Sequence, residues 1–316
     1  MTVDVESVRR EKDAIEARFG PWTAHNICLA EGLYTISAQP TGDEVKLRRV
    51  TQLALDVSGG SLQGARVLDL ACLEGMYALE LARRGAEVVA IEGREANIEK
   101  SLFAARTLGV DVDFHLGDVR DLSLERHGEF DLVLALGILY HLDAPDLFSF
   151  VARIADVCRH ALIVDTGVGR AGTEELRHDG TAYRGVRLVE HAPESTEADR
   201  LQAVWSSLDN LTAVALTRPS LERLLARQGF TSVLECHVPA EPSKEVDRVT
   251  LLALKGVPAG ELIVPAPRSE PADVPERPPF GRRVEAFSLL RFARYALPRP
   301  VRTRLRRLIG SETRRH

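Results

Sequence analysis

The chain has 316 residues, of which 45% are hydrophobic and 28% charged, which is ample apolar material for a folded core. No apolar run approaches the roughly 18–20 residues of a membrane span, and the charged start MTVDVESVRREKDAIEARFG lacks the apolar centre of a signal peptide, so a cytoplasmic location is expected. The net charge of −5 is uneven: residues 282–316 carry eleven arginines against Glu285 and Glu312, so the body is acidic and an anionic partner would meet the tail.

Residues 1–60 read as a mostly helical lid region ahead of the main domain. Arg66–Ala71 (RVLDLA) is a short apolar run and reads as a buried strand. A helix opens at Gly75 and ends at Gly85, where glycine supplies a left-handed cap. EVVAIE, ending at Glu92, is the second strand; a helix over Glu95–Leu108 stops at Gly109. Val112–Leu116 and Phe130–Leu136 are the third and fourth strands. A helix from about Pro145 to Val157 then leads to a fifth strand, ALIVD.

Residues 167–216 look polar and irregular, and an insertion of that length is expected to serve function. The helix LERLLARQ and the strands TSVLECHV and RVTLLALK complete a domain over 61–256. Residues 257–281 hold seven prolines and read as a linker. In the tail, 282–316, two apolar sets recur at helical spacing: Phe287, Leu290, Ala293 and Leu297, then Val301, Leu305, Leu308 and Ile309. The arginines around the second set fit an amphipathic helix at a membrane surface, or one docked on a protein partner. Cys28, Cys72, Cys158 and Cys236 form no CxxC pair, so buried thiols are expected rather than a disulfide framework or zinc site.

The alternation of strands and helices predicts an α/β fold: a doubly wound, Rossmann-like parallel sheet with helices on both faces. Within it, VLDLACLEGMYALELARRGAEVVAIEGRE is a strand, a tight turn, a helix and a second strand ending in an acid. That arrangement suits a nucleoside cofactor, because the turn lets backbone amides approach and the acid can take ribose hydroxyls. Asp118 follows the third strand, where a carboxylate can accept from an adenine amino group. The loop GILYHLDAP follows the fourth.

These features, in this order over residues 65–255, resemble the class I S-adenosylmethionine-dependent methyltransferases. The resemblance implies a seven-stranded sheet whose last strand is antiparallel, and S-adenosylmethionine as cofactor. It implies a turn made by Asp69, Ala71, Cys72, Leu73 and Gly75, ribose contacts from Glu92, adenine contacts from Asp118 and Val119, and Leu136 beside the methionine portion. The usual D-x-G-x-G-x-G stands here as D-L-A-C-L-E-G. Ala71 and Leu73 replace glycines, so the chain is expected to avoid left-handed geometry at Leu73.

Arg18–Trp22 and Gly137–His141 are also similar to segments of the tRNA wobble-uridine carboxymethyltransferases, which adds Trp22 and Tyr140 as cofactor contacts. WTAHNICLAEGLYT and VWSSLDNLTAVALTRPSL look similar to carbohydrate and natural-product methyltransferases.

Methyl transfer to a hydroxyl needs alignment and a base. His141 is the first candidate base, His191 the second and His25 the third. Asp165, Glu190 and His191 could together hold magnesium, a hard cation, but their spacing matches no known metal motif, so no metal site is assigned. In the quinone-pathway methyltransferases acids precede a histidine in the corresponding loop; here those positions are Gly137 and Tyr140. The leading expectation is O-methylation of a small-molecule or carbohydrate hydroxyl. A tRNA-modifying transferase and a non-catalytic scaffold with a membrane- or partner-binding tail are the alternatives. The acidic body argues against nucleic acid as partner.

Overall fold

The computed structural model describes residues 4–39, 41, 43–241, 244–245 and 247–256. The expected linker and basic tail lie outside the described residues. The amino-terminal region contains α1 (Val5–Phe19), a small hairpin of β1 (Cys28–Ala30) and β2 (Leu33–Tyr34), and α2 (Asp43–Val57). The Asp4 carboxylate caps α1 by accepting from the Glu6 amide.

The alternating part comprises β3 (Arg66–Leu70), α3 (Met76–Ala82), β4 (Glu87–Glu92), α4 (Glu95–Leu108), β5 (Asp113–Leu116), α5 (Leu124–His127), β6 (Phe130–Leu136), α6 (Asp146–Val157) and β7 (Cys158–Gly167). After it come β8 (Glu174–His178), β9 (Thr181–Val189), α7 (Glu197–Gln202), β10 (Thr212–Leu216), α8 (Arg218–Arg227), β11 (Phe230–Glu235) and β12 (Arg248–Lys255). The main sheet has seven strands in the order β11-β12-β7-β6-β3-β4-β5. β3 to β7 run parallel, and β12 lies antiparallel between β7 and β11.

Strand alternation explains why both faces are covered. Leu68, Leu70, Val133, Ala135, Leu162 and Val164 face one core, with Phe148, Ile154 and Leu221 from α6 and α8. Their neighbours Val67, Leu132, Leu134, Ala161 and Ile163 face the other, with Val50, Leu79 and Phe103 from α2, α3 and α4. Strands apolar on both sides can only sit between two helical layers. No described helix is long and apolar enough to cross a membrane.

The expectation of an irregular 167–216 segment is corrected. β10, β9 and β8 form a separate three-stranded antiparallel sheet. Its hairpin turns at Asp179-Gly180, both left-handed, between the paired residues His178 and Thr181. Asp-Gly between strands is a strong hairpin signal. It was obscured because β8 and β9 bury few residues: Tyr183, packed on Phe148 at 5.0 Å, is the main anchor.

Candidate active site

The parallel strands end at one edge, where open α/β sheets bind ligands. The turn after β3 departs from expectation: Ala71 and Leu73 both adopt left-handed backbone, with φ of 55° and 52°. The Glu92 carboxylate accepts the Leu73 amide at 2.9 Å, and the Ile91 carbonyl accepts the Cys72 amide at 3.1 Å. These bonds tie the turn to the end of β4 and hold geometry that glycine would take without strain. Gly75, φ 79°, favours glycine by its left-handed backbone and is also crowded: a Cβ there would lie 2.9 Å from Ser101 Oγ and 3.3 Å from the Phe114 ring.

Beneath the turn, Asp69 is fully buried, and its Oδ2 has no hydrogen-bond partner among the described residues. Burial pushes its carboxyl up to about 7; the Ala78 amide opposes the shift and the Glu92 charge adds to it. Burial also raises the Cys72 thiol far above its usual range, leaving it an inert packing group.

Glu92 is buried, and its pKa is raised by that burial although three protein donors oppose the shift. Besides Leu73, these are the Arg94 amide at 3.0 Å and Asn97 Nδ2 at 3.1 Å. A carboxylate offers about four acceptor positions, so roughly one remains for a ribose hydroxyl. Asp118 is likewise engaged: its Oδ1 accepts the Arg120 amide at 2.8 Å, and its Oδ2 accepts the Arg120 guanidinium at 2.6 Å. Val119 beside it is buried.

The turn's own acid, Glu74, is a residue that motif reasoning missed. Its fully buried carboxylate accepts the amides of Thr23, Ala24 and His25 at 2.7–3.1 Å, and Lys100 Nζ lies at 3.3 Å. It thereby pins the amino-terminal segment over the turn. Trp22 is buried there, with Nε1 unpartnered among the described residues. His25 Nδ1 accepts the Met76 amide at 3.2 Å. Burial lowers its pKa to about 4, so the ring is neutral with its proton on Nε2. A ring whose only basic nitrogen is occupied is a poor proton acceptor, which corrects the third base candidate.

At the end of β6, Leu136 is half-buried, and the next turn carries Tyr140 and His141. His141 Nδ1 lies 3.0 Å from both carboxylate oxygens of Glu190, and both side chains are mostly buried. No partner is found for Nε2 among the described residues. His191 is turned elsewhere: its Nε2 lies 2.8 Å from the Ser207 carbonyl, which it meets as a donor.

The Tyr140 hydroxyl accepts from Arg248 Nη1 at 3.3 Å. Arg248 Nε also donates to Asp165 at 2.5 Å, and Lys46 and Lys244 lie within 3.7 Å of the same carboxylate. Burial alone would raise Asp165, but the charges of Arg248 and Lys46 outweigh it and hold the carboxyl well below its usual range. Asp165, Glu190 and His191 therefore do not converge, which corrects the magnesium grouping. Among the described residues no group of three potential ligands could hold a metal ion.

With this geometry established, residues 67–161 match the family described as a methyltransferase domain. Over those residues the chain carries a methyltransferase domain. Curated relatives match part of the chain as well. The ubiquinone biosynthesis O-methyltransferase of Xylella fastidiosa (strain M23) is 33% identical over 125 residues, 39% of this chain and 48% of the relative. The magnesium-protoporphyrin O-methyltransferase of Rhodobacter capsulatus is 36% identical over 104 residues, 32% of this chain and 45% of that protein. The chain thus spans about half the length of the curated relatives it matches.

Among solved structures, the N-terminal domain of EvdMO1 in the presence of SAH and D-fucose superimposes with a TM-score of 0.61 at 23% identity, covering 80% of this chain and 97% of that one. This agreement shows the methyltransferase fold. The family match holds the turn, Glu92, Asp118, Tyr140 and His141, whereas Trp22, Glu190 and Arg248 fall outside it.

Proposed function

We propose that the chain is an S-adenosylmethionine-dependent O-methyltransferase acting on a hydroxyl of a small molecule or a carbohydrate. One observation carries the chemistry: the His141–Glu190 pair stands at the sheet edge with Nε2 available. The O-methyltransferase names of the relatives support an oxygen acceptor. The unpartnered Asp69 Oδ2 and Trp22 Nε1, and the acceptor position left on Glu92, fit a polar nucleoside cofactor in the seat formed by Asp69, Ala71, Cys72, Leu73, Gly75, Asp118, Val119, Leu136 and Tyr140.

When bound, S-adenosylmethionine supplies a methyl group on a sulfonium, activated for in-line displacement. The protein's part is alignment and proton removal. Facing a carboxylate, His141 carries its proton on Nδ1 and presents Nε2 as the base. The acceptor hydroxyl gives its proton to Nε2, and Glu190 stabilises the imidazolium that results. In this reading residues 1–60 cover the cofactor seat, and the 167–216 insertion covers the acceptor.

Calorimetry with S-adenosylhomocysteine tests the seat. Binding is expected for the purified chain, and Glu92→Ala should weaken it by roughly 1.5–3 kcal/mol, the scale of a hydrogen bond to a charged group. Absence of heat with S-adenosylhomocysteine, together with clear binding of NAD, would overturn the reading.

A further inference from the structure

The two cofactor-side acids are each followed, two residues on, by an arginine that reaches into the insertion. Arg94 Nε donates to the Leu201 carbonyl at 3.0 Å, and its Nη2 faces the carbonyls of Ala203, Ser206 and Ser207 at 2.9–3.2 Å. Arg120 Nη2 meets Asp209 at 2.7 Å, and its Nη1 meets Asn210 at 3.3 Å. Leu208, between these anchors, packs on the backbone beside Glu92: a Cβ on Gly93 would sit 2.3 Å from Leu208 Cδ1.

The same short segment also grips the His141 pair. The Ser207 amide donates to Glu190 Oε2 at 2.7 Å, His191 Nε2 meets the Ser207 carbonyl, and Asn210 Nδ2 donates to the His141 carbonyl at 2.9 Å. One stretch of about ten residues is thus bonded to both halves of the site. Arginine suits the task, because its planar fork can gather several carbonyls at once where lysine offers a single charged point.

We infer that Arg94 is a positioning residue: through residues 200–210 it couples retention of the cofactor to the orientation of His141. The inference rests on the reading of His141 and Glu190 as the proton-accepting pair. Arg94 touches no reacting atom. It holds Ser207 where its amide fixes Glu190, and Glu190 in turn fixes the imidazole. It also keeps Leu208 against Gly93 beside Glu92, where the side chain would slow the release of a bound cofactor.

Two readouts test this on the full chain carrying Arg94→Gln, with Arg94→Lys and Leu208→Ala beside it. The first is the dissociation rate of S-adenosylhomocysteine by stopped flow, expected to rise tenfold or more in Arg94→Gln and Leu208→Ala. The second is the ¹⁵N spectrum of the ligand-free protein, with His141 assigned from its loss in His141→Gln. The wild-type ring is expected as the Nδ1–H tautomer, Arg94→Gln as a tautomer mixture, and Arg94→Lys as intermediate in both measurements. A dissociation rate within twofold of wild type with an unchanged tautomer overturns the inference, and a change in only one readout overturns the coupling. If S-adenosylhomocysteine fails to bind the wild type, the cofactor reading falls and the tautomer arm still decides the role of Arg94. Should Arg94→Gln not fold, Leu208→Ala carries the rate measurement and Arg94→Lys the tautomer measurement.

Discussion

His141 Nδ1 sits 3.0 Å from each carboxylate oxygen of Glu190, a residue 49 positions further along the chain. This makes the loop after β6 and the end of β9 one chemical unit. In a radiolabelled methyl-transfer assay on a panel of hydroxyl compounds, His141→Ala is expected to lower turnover by about 10²–10⁴ with cofactor affinity nearly intact. Glu190→Gln keeps the shape but removes the charge, and a loss of about 10–100-fold is expected from a charged hydrogen bond of roughly 1.5–3 kcal/mol. A near-normal rate in both variants would assign the proton to another group.

The left-handed backbone at Ala71 predicts an unusual stability response. Left-handed geometry costs a residue with a Cβ roughly 1–2 kcal/mol, and glycine's extra freedom in the unfolded chain costs about 0.5–1 kcal/mol. Ala71→Gly should therefore raise the unfolding free energy slightly, by about 0.5–1 kcal/mol, measured by urea denaturation. A clear loss would show that the methyl group's packing outweighs the backbone term.

Glu74 and Lys100 are both buried, and three backbone amides of residues 23–25 depend on the same carboxylate. Glu74→Ala leaves a buried ammonium without its partner and should cost about 3–5 kcal/mol. Adding Lys100→Met should recover part of that loss, since the stranded charge is then gone. If the double variant is as unstable as the single one, the amides rather than the lysine carry the penalty.

Two buried groups give opposite pH dependences. His25 folds with its pKa lowered from 6.5 to about 4, so the unfolded chain binds more protons between those values. Its contribution is complete above pH 6.5 and is lost as pH falls toward 4, a change on the order of 3 kcal/mol. Asp69 folds with its pKa raised from 3.8 to about 7, so the folded chain binds the extra proton. Its penalty is absent below pH 4 and grows until about pH 7, on the order of 4 kcal/mol at most. Relative to wild type, Asp69→Asn should thus gain stability as pH rises from 4 to 7, and His25→Gln should lose it from 4 to 6.5. Denaturation curves at stepped pH that ran parallel for all three proteins would contradict both assignments.

What the sequence determined by itself was most of the local structure of the alternating part. The run from Val67 to Glu92 announces strand, turn, helix and strand, because apolar periodicity and glycine punctuation depend on neighbours a few residues apart. The helix Glu95–Leu108 and strand Phe130–Leu136 were bounded by the same signals, and the antiparallel last strand followed from the family resemblance. Ala71 and Leu73 show the limit of that reasoning: composition argues against left-handed backbone there, yet hydrogen bonds from the turn to Ile91 and Glu92 impose it.

Only the tertiary structure joined Glu190 to His141, turned His191 toward Ser207, occupied the basic nitrogen of His25, and set Arg248 and two lysines around Asp165. The β8–β9 hairpin was signalled by Asp179-Gly180, but its inward positions are mostly half-buried and several are polar, such as Glu174, His178 and Thr181, so the apolar signal is weak. Periodicity records which face of an element is buried; it carries no address for the partner. His141 and Glu190, 49 positions apart, meet because the two separate sheets that precede them pack on one shared core, and that information resides in the packing as a whole.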